Sequence, residues 1–297
     1  WPQYGPEVQD AIRRVAESQV YHPMFGHETE ALEQEFAAYH GVPEAVAVAS
    51  GTLALQAAMA AAGIGCGDEV IVPAYTYAAS AGAAVDQNAI PVFVDSEPLS
   101  QGLDPVDVKR KLTSRTRAIV VVHVNGYPCD MDAVMELANE RGLVVIEDCS
   151  HAHGALHRDR KVGTIGHLGA FSIQHKKNLS AGMGGVVITR DGSMAENMRN
   201  WRNYTWDVIG HNWQTSEFHS AIARVQLGLL DEMNETRRVN AALLRESVDG
   251  IGGIAPLQGL PDTEPVYYNQ ILCFDEESWG IGRGVFVKAL NAEGIPL

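Results

Sequence analysis

Residues 143–153 read Leu-Val-Val-Ile-Glu-Asp-Cys-Ser-His-Ala-His, an apolar run that ends in acidic residues. An amphipathic stretch, Met131–Arg141, precedes this run, and another apolar run, Ala118–Val122, precedes that stretch. The apolar runs are rich in Val and Ile and lack alternating polar residues, which predicts strands buried on both faces of a mainly parallel sheet. The segment therefore predicts an α/β fold, whose ligands bind at the carboxyl ends of the strands.

The same alternation of strands and helices extends in both directions from this segment. Apolar runs predict seven strands, at Ala45–Ala49, Glu69–Val72, Ile90–Val94, Ala118–Val122, Leu143–Ile146, Ala170–Ile173 and Gly185–Thr189. Amphipathic stretches between them predict helices at Gly51–Ala62, Tyr77–Gln87, Pro105–Leu112, Met131–Arg141 and Met194–Asn200. We expect a seven-stranded sheet with helices on both of its faces.

The residue pattern of the sequence changes near residue 250, where a long amphipathic stretch ends. One long helix is predicted over about Thr215–Val248, with an apolar stripe that consists of Phe218, Ile222, Val225, Leu229 and Met233. A Gly- and Pro-rich stretch follows it, and then a predicted strand (Tyr267–Phe274) and a predicted helix (Arg283–Glu293). We expect a large domain over residues 1–248. The start of a smaller C-terminal α/β domain is expected over residues 249–297, incomplete at Leu297.

Composition excludes several classes of protein. The chain has 297 residues, of which 46% are hydrophobic and 20% charged, and this is typical of a globular protein with a sizeable core. Its net charge of −15 disfavours binding to nucleic acids and to anionic membranes. The four cysteines form no CxxC pair, which is typical of reduced thiols. The sequence has neither a signal-peptide pattern nor an apolar run long enough to span a bilayer, so we expect a cytoplasmic protein.

Two loops that follow predicted strands have features of a binding site. In Ser50-Gly51-Thr52, the glycine allows close backbone approach, and the start of a helix offers free N–H groups to an anion. A plain helix cap would explain the same residues. In the loop over residues 73–77, Tyr77 could stack on a flat ring, or it could be a half-buried tyrosine at a helix start.

A third loop, residues 147–153, has three interpretations. Asp148, Cys149, His151 and His153 could bind a metal ion, since zinc accepts these ligand types. Alternatively, Asp148 could stabilise a cationic ring nitrogen by a charge-assisted hydrogen bond. The third interpretation is purely structural: a capping aspartate followed by histidines in the core.

The fourth loop lies between two predicted strands and contains Lys176 and Lys177, followed by Gly182, Gly184 and Gly185. A buried lysine beside another positive charge has a lowered pKa and becomes a nucleophilic amine that can form a Schiff base. A solvated basic turn would explain the same residues. Taken together, the four loops offer an anion site, a stacking ring, a carboxylate and a lysine. Pyridoxal phosphate requires these four elements.

Ordered motifs along nearly the whole chain resemble the DegT/DnrJ/StrS family of aminotransferases. They comprise Trp1-Pro2, residues 36–41, Ser50-Gly51-Thr52, residues 72–77, residues 123–126, residues 130–132, Glu147-Asp148, residues 151–154, Phe171-Ser172, Lys177, Gly182, Gly184 and Gly185. Members of this family bind pyridoxal phosphate, have fold type I and act on keto-sugars and aminocyclitol precursors. The resemblance implies the same fold, cofactor and substrate class here, with glutamate or glutamine as the amino donor.

The resemblance also implies roles for single residues. Lys177, rather than Lys176, is the Schiff-base lysine, and Asp148 pairs with the pyridinium nitrogen. The remaining cofactor-binding roles fall to Gly51, Thr52 and Ser172 at the phosphate, Tyr77 on the ring, His151 near the ring hydroxyl and Asn212 at the phosphate of a neighbouring subunit. A homodimer with shared active sites is therefore implied.

Two positions depart from the family pattern. Met183 stands where the family usually has glutamate, and Lys176 adds a positive charge beside Lys177. An altered outcome, such as dehydration, aminohydroxybenzoate synthesis or a silent cofactor-binding regulator, is the alternative within the family. A metal-dependent hydrolase that uses residues 148–153 is the alternative outside it.

Overall fold

A computed structural model describes residues 4–203 and 209–295. The Trp1-Pro2 motif lies outside the described residues. The strands are β1 (Glu44–Val48), β2 (Glu69–Pro73), β3 (Ile90–Val94), β4 (Thr116–Val122), β5 (Val144–Asp148), β6 (Leu156–His157), β7 (Arg160–Lys161), β8 (Leu168–Ser172), β9 (Gly185–Thr189), β10 (Ile254–Pro256), β11 (Thr263–Glu264) and β12 (Leu272–Phe274). The helices are α1 (Pro6–Ser18), α2 (Glu28–His40), α3 (Gly51–Ala61), α4 (Ala79–Asp86), α5 (Pro105–Lys111), α6 (Met131–Arg141), α7 (Gly192–Arg202), α8 (Glu217–Gly228), α9 (Leu230–Val248), α10 (Glu276–Trp279) and α11 (Arg283–Ala292).

Seven strands form the central sheet, in the order β1-β9-β8-β5-β4-β2-β3. All of its neighbouring pairs are parallel except those of β9, which runs antiparallel to both β1 and β8. The α/β class and the mainly parallel seven-stranded sheet are confirmed. The short strands form a three-stranded sheet (β11-β6-β7) and a two-stranded sheet (β10-β12).

The central strands of the sheet are buried on both faces, as their Val-rich runs predict, whereas the edge strand β3 is partly exposed. In β4, Ala118, Val120 and Val122 belong to one hydrophobic cluster, and they share it with α3 and α4. Ile119 and Val121 belong to another cluster, on the face that α5 and α6 cover. Alternate residues of one strand therefore fill two cores, so neither face of β4 offers a polar stripe.

Side-chain caps set where several helices begin. Ser50 caps α3, Asp104 caps α5, Asp130 caps α6, Asp191 caps α7 and Ser216 caps α8, each by accepting a backbone N–H in the first turn. The cap at Ser50 matters for function because it fixes the start of α3 directly after β1, at the edge of the sheet where β5 and β8 also end.

The prediction of one long helix over Thr215–Val248 was wrong. The segment forms α8 and α9, which meet at Leu229, directly after Gly228. Glycine has a low helix propensity, and the break turns Leu229 outward, where it is 39% exposed. The buried residues of α8 are instead mostly small or polar, namely Glu217, Ser220, Ala221, Ala223, Gln226 and Leu227.

The strand predicted over Tyr267–Phe274 was wrong in extent, since β12 covers only Leu272–Phe274. Residues 266–269 dock instead on the 3-10 turn Val124–Gly126. Val266 N–H donates to the Gly126 carbonyl at 3.1 Å, and Asn269 N–H donates to the Asn125 carbonyl at 3.3 Å. These backbone bonds replace the strand pairing and bring Tyr268 to the edge of the main sheet.

Helices α1 and α2 precede the sheet and were not predicted. Val8, Ala11 and Val15 form the buried stripe of α1, and Ala11 and Val15 pack against Ala221 of α8. Within the described ranges, no helix has the length and hydropathy needed to cross a membrane.

Candidate active site

A cavity of about 690 Å³ opens where β1, β5 and β8 end, the edge that the α/β fold predicts for a ligand. Its walls come from six segments of the chain. Its lining residues are Ser50, Gly51, Thr52, Leu55, Tyr75, Thr76, Tyr77, Ala79, Val122, Val124, Asn125, Asp148, Ser150, His151, Ser172, Gln174, Lys176, Lys177, Met183, Gly184 and Tyr268. Every residue to which the family resemblance gives a role at the cofactor, except Asn212, is among them.

The start of α3 forms one end of the cavity. Gly51 lies so close to Ser172 that a Cβ on Gly51 would sit 2.9 Å from Ser172 Oγ and 3.0 Å from its Cα. Gly185, the strand partner of Ser172, packs as tightly on the Ser50 backbone. The first-turn N–H groups of a helix have no intrahelical acceptor and favour an anion. The Ser172 hydroxyl, the exposed Thr52 and these N–H groups fit a phosphate.

Asp148 is the last residue of β5, and its side chain is held from two directions. Ser80 Oγ donates to Oδ2 at 3.1 Å, and Ser150 N–H donates to Oδ1 at 3.1 Å. Ser80 in turn bonds Thr76 Oγ1 at 2.8 Å. Because Asp148 is only 5% exposed, these donors fix its carboxylate in the cavity wall. A fixed buried carboxylate suits a cationic ring nitrogen.

Lys177 lies in the turn between β8 and β9, where its backbone N–H donates to the Gln174 carbonyl at 2.8 Å. Burial lowers the pKa of the Lys177 amine, and the charge of Asp148 opposes that shift. Lys177 Nζ also lies 5.0 Å from the centre of the Tyr268 ring. Lowering the pKa enlarges the fraction of neutral amine, which is the nucleophilic form.

His151 stacks flat on Tyr268, with ring centres 4.0 Å apart and planes 4° from parallel. Its Nδ1 accepts the Asn125 N–H at 3.3 Å. Burial lowers the pKa of His151 to about 4, with a contribution from the positive charge of Lys177, while Asp148 opposes the shift. His151 is therefore neutral near pH 7.

Tyr77 and Met183 lie at the outer rim. Tyr77 is 76% exposed and Met183 is 50% exposed, although both line the cavity. Gln174 and the exposed Lys176 line the same rim, where Gln174 Oε1 accepts the Lys176 N–H at 3.0 Å. Large apolar side chains that remain exposed beside a cavity are typical of surfaces that bind a ligand or a partner.

Asn212 lies outside the cavity and is exposed. It adopts a left-handed backbone conformation (φ 53°) between His211 and Trp213, whose rings stack 4.6 Å apart. The Trp213 carbonyl accepts the Ala49 N–H at 2.9 Å, which ties this loop to the end of β1. Asn212 therefore does not reach the cavity within this chain.

Asn125, Ser80 and Tyr268 line or support the site but were missed in the sequence. Tyr268 was assigned to a strand, and Ser80 lies inside a predicted helix. Asn125 belongs to residues 123–126, which resemble the family, but its left-handed conformation (φ 57°) and its bond to His151 give no sequence signal.

The metal-site interpretation of residues 148–153 receives no geometric support. Within the described residues, the only group of three or more metal-ligand side chains is His123, Glu147 and Cys149. Glu147 there already accepts from His123 Nε2 at 3.0 Å and from the N–H groups of residues 163, 165 and 166. Burial also raises the pKa of the Cys149 thiol well above its ordinary value, which keeps it protonated. The side-chain donors and acceptors of His123 and Glu147 are thus used within the fold.

Comparison with known proteins agrees with this geometry. The model of the DegT/DnrJ/EryC1/StrS aminotransferase family matches residues 2–297. An L-glutamine:2-deoxy-scyllo-inosose aminotransferase from Micromonospora echinospora is 42% identical, over 99% of this chain and 76% of the relative. A dTDP-3-amino-3,4,6-trideoxy-alpha-D-glucose transaminase from Streptomyces venezuelae is 42% identical, over 88% of this chain and 70% of the relative.

Solved structures with the same fold also include aminotransferases. The crystal structure of an aminotransferase from Psychrobacter cryohalolentis superposes with a TM-score of 0.95 at 32% identity, covering 100% of this chain and 82% of the other. The chain spans 63% to 76% of the length of several aminotransferases that act on 2-deoxy-scyllo-inosose.

Proposed function

Because the chain belongs to the DegT/DnrJ/EryC1/StrS aminotransferase family, we propose that it transfers an amino group from glutamine or glutamate to a keto-cyclitol or a keto-sugar, with pyridoxal phosphate as cofactor. One observation supports this proposal most: Lys177, Asp148 and the start of α3 line one cavity at the carboxyl edge of the sheet. The two transaminases described above act, by their names, on a cyclitol and on a nucleotide-linked sugar.

The residues present fit the cofactor. A cavity of about 690 Å³ lies within the usual range for cofactor sites. The absence of a Cβ at Gly51 leaves room for the helix N–H groups to reach a phosphate beside Ser172. Lys177 would hold the aldehyde carbon, Asp148 the ring nitrogen, and Tyr77 would cover the ring from the rim.

The mechanism follows from the charges of these residues. When bound, pyridoxal phosphate supplies an electron sink for the carbanion that forms when the amino donor loses its α-proton. Asp148 would keep a proton on the ring nitrogen by its negative charge. Lys177, with its lowered pKa, would accept and return the α-proton as general base and acid. His151, neutral down to about pH 4, would not compete for that proton.

The dimer belongs to the same proposal. Asn212 is exposed and lies outside its own cavity, and Tyr77 and Met183 leave apolar surface at the rim. We propose that two copies pair so that Asn212 of one subunit reaches the phosphate of the other. Sedimentation should give a dimer. Asn212→Ala should weaken cofactor binding, while a partner-independent site would leave it unchanged.

The cofactor is tested by its covalent attachment. We expect the purified protein to be yellow, and borohydride to remove the colour and fix the cofactor to the peptide that contains Lys177, as measured by mass spectrometry. Lys177→Ala should abolish the attachment, and Lys176→Ala, at the neighbouring position, should retain it. A colourless protein that takes up no pyridoxal phosphate would refute the proposal.

The reaction is tested with the yellow protein. Incubation with glutamine or glutamate should convert the bound cofactor to its amino form and yield the corresponding keto acid. 2-Deoxy-scyllo-inosose or a nucleotide-linked keto-sugar should then return the cofactor to its starting form. A yellow protein that reacts with neither donor would indicate a silent regulator.

A further inference from the structure

Tyr268 holds a central position in the cavity wall. It reaches the site from the segment after residue 249, far along the chain from the other lining residues. His151 stacks on its ring at 4.0 Å, and Lys177 Nζ lies 5.0 Å from the ring centre. One aromatic side chain therefore contacts two residues to which the family resemblance gives roles at the cofactor.

Asn125 contacts the edge of the His151 ring. The Asn125 N–H donates to His151 Nδ1 at 3.3 Å. A backbone N–H cannot accept a hydrogen bond, so Nδ1 must be the acceptor and the proton of a neutral ring must lie on Nε2. In the described part of the chain, His151 Nε2 has no protein hydrogen-bond partner.

The Asn125 backbone is itself held by the segment that carries Tyr268. Asn269 donates its N–H to the Asn125 carbonyl at 3.3 Å and its Nδ2 to Asn125 Oδ1 at 3.0 Å. Residues 266–269 therefore fix both contacts of His151. Tyr268 stacks on the face of its ring, and Asn269 holds the Asn125 backbone that donates to its edge. Neither contact involves the reacting groups directly.

We propose that Tyr268 and Asn125 are positioning residues that hold His151 as a neutral ring with its proton on Nε2, a fixed hydrogen-bond donor to an oxygen of the bound ligand. The charged groups around His151 are Lys177 and Asp148, and the neighbouring histidine is His153. His153 is fully buried, and burial lowers its pKa. A donor that stays neutral adds no charge beside Lys177.

The hydrogen bond from His151 to the bound ligand rests on the proposed function, but the protonation state of the His151 ring does not. The experiment therefore uses the full chain labelled with ¹⁵N-histidine, both as purified and after removal of any cofactor. The signals of His151 are assigned by their loss in His151→Gln. Long-range ¹H–¹⁵N correlation spectra at pH 5 to 8 then report which nitrogen carries the proton.

We expect Nδ1 to be unprotonated and Nε2 protonated across this range. Tyr268→Phe keeps the ring and should keep that state. Tyr268→Leu should raise the pKa of His151 by about one unit and give a mixture of tautomers, because one face of the ring becomes solvated. Tyr268→Met, which also lacks a ring, provides a second test should the leucine variant not fold.

Tyr267→Leu is the matched control. Tyr267 is the adjacent tyrosine, but its ring packs edge-on against Tyr127 at 5.6 Å and not on His151. It should leave the His151 spectrum unchanged. A proton on Nδ1 in the wild type, or equal spectra for Tyr268→Leu and the wild type, would overturn the inference. A disturbance as large in Tyr267→Leu as in Tyr268→Leu would overturn it too.

The two proposals can fail separately. If the protein takes up no pyridoxal phosphate, the spectra of the cofactor-free chain still determine the tautomer of His151. If the tautomer is wrong, borohydride attachment at Lys177 still tests the cofactor.

Discussion

Substitution of Gly51 by alanine tests the phosphate site most directly. The added Cβ would lie 2.9 Å from Ser172 Oγ and 3.0 Å from Ser172 Cα, and it would overlap Ser172 Cβ. Carbon atoms in contact prefer about 3.5–4.0 Å. The start of α3 and the end of β8 must therefore separate by roughly 1 Å. Gly185 packs closely on the Ser50 backbone, so the chain that leads into α3 has little room to move.

Gly51→Ala should have two energetic effects, one on folding stability and one on the binding of the cofactor. Overpacking of this kind costs about 1–3 kcal/mol of folding stability. A phosphate that loses one charge-assisted hydrogen bond at the displaced helix start loses a further ~1.5–3 kcal/mol of binding free energy. Since about 1.4 kcal/mol corresponds to a factor of ten, the cofactor should bind at least ~10-fold more weakly.

The assay is equilibrium binding of pyridoxal phosphate to cofactor-free protein, with urea denaturation of the same samples. Gly65→Ala is the control, since Gly65 follows α3 and has no atom within 4 Å of the added Cβ. It should bind the cofactor like the wild type. Unchanged affinity in Gly51→Ala, with the variant folded, would show that the start of α3 does not hold the phosphate.

Three further predictions concern charge. Asp148→Asn should retain the cofactor and lower the transamination rate by about 100-fold, measured by stopped flow, because an amide does not favour a proton on the ring nitrogen. His40 is buried, and burial lowers its pKa to about 4. At this residue the unfolded chain therefore binds a proton that the folded chain lacks between pH 6.5 and 4, so His40 alone should contribute a loss of about 2 kcal/mol in stability from pH 7 to pH 5. Urea titrations should show a loss that is about 2 kcal/mol smaller in His40→Gln than in the wild type, because the lowered pKa values of His151 and His153 contribute equally to both. Glu217 is 1% exposed and accepts the N–H groups of Glu28 and Thr29 at the start of α2. Glu217→Ala should lower the free energy of unfolding by about 2–3 kcal/mol, whereas Glu30→Ala, at an exposed position of that first turn, should change it little.

The sheet was predictable because its signal is local and repeated. Most of the strands are Val- or Ile-rich runs that are largely buried, and several of the following helices begin at a residue such as Ser50 or Asp130 that caps them. Parallel strands then bring their carboxyl ends to one edge without further information. Hence Gly51, Asp148 and Ser172 come together as predicted, although they lie far apart in the sequence.

The rest depends on long-range packing that leaves little pattern in the sequence. The helix break at Leu229 follows a single glycine in an otherwise continuous amphipathic stretch. Tyr268 has the β-branched and aromatic neighbours of a strand, but Asn269 pairs with Asn125 and diverts the segment to the active site. Such contacts between irregular segments have no period, so periodicity cannot reveal them.

Two adjacent carboxylates in β5 point to opposite faces of the sheet. One of them holds a loop within the fold, and the other lines the cavity. Asp148 faces the cavity on the side of the sheet that Ile146 shares, while Glu147 faces the other side and binds His123 and the loop over residues 163–166. Burial alone would raise the pKa of Glu147, but the hydrogen bonds from His123 and from that loop lower it overall. A one-residue shift of β5 would exchange the two environments, leaving one carboxylate without its donors and the site without its charge. The Glu147 network thus fixes the register that puts Asp148 in the cavity.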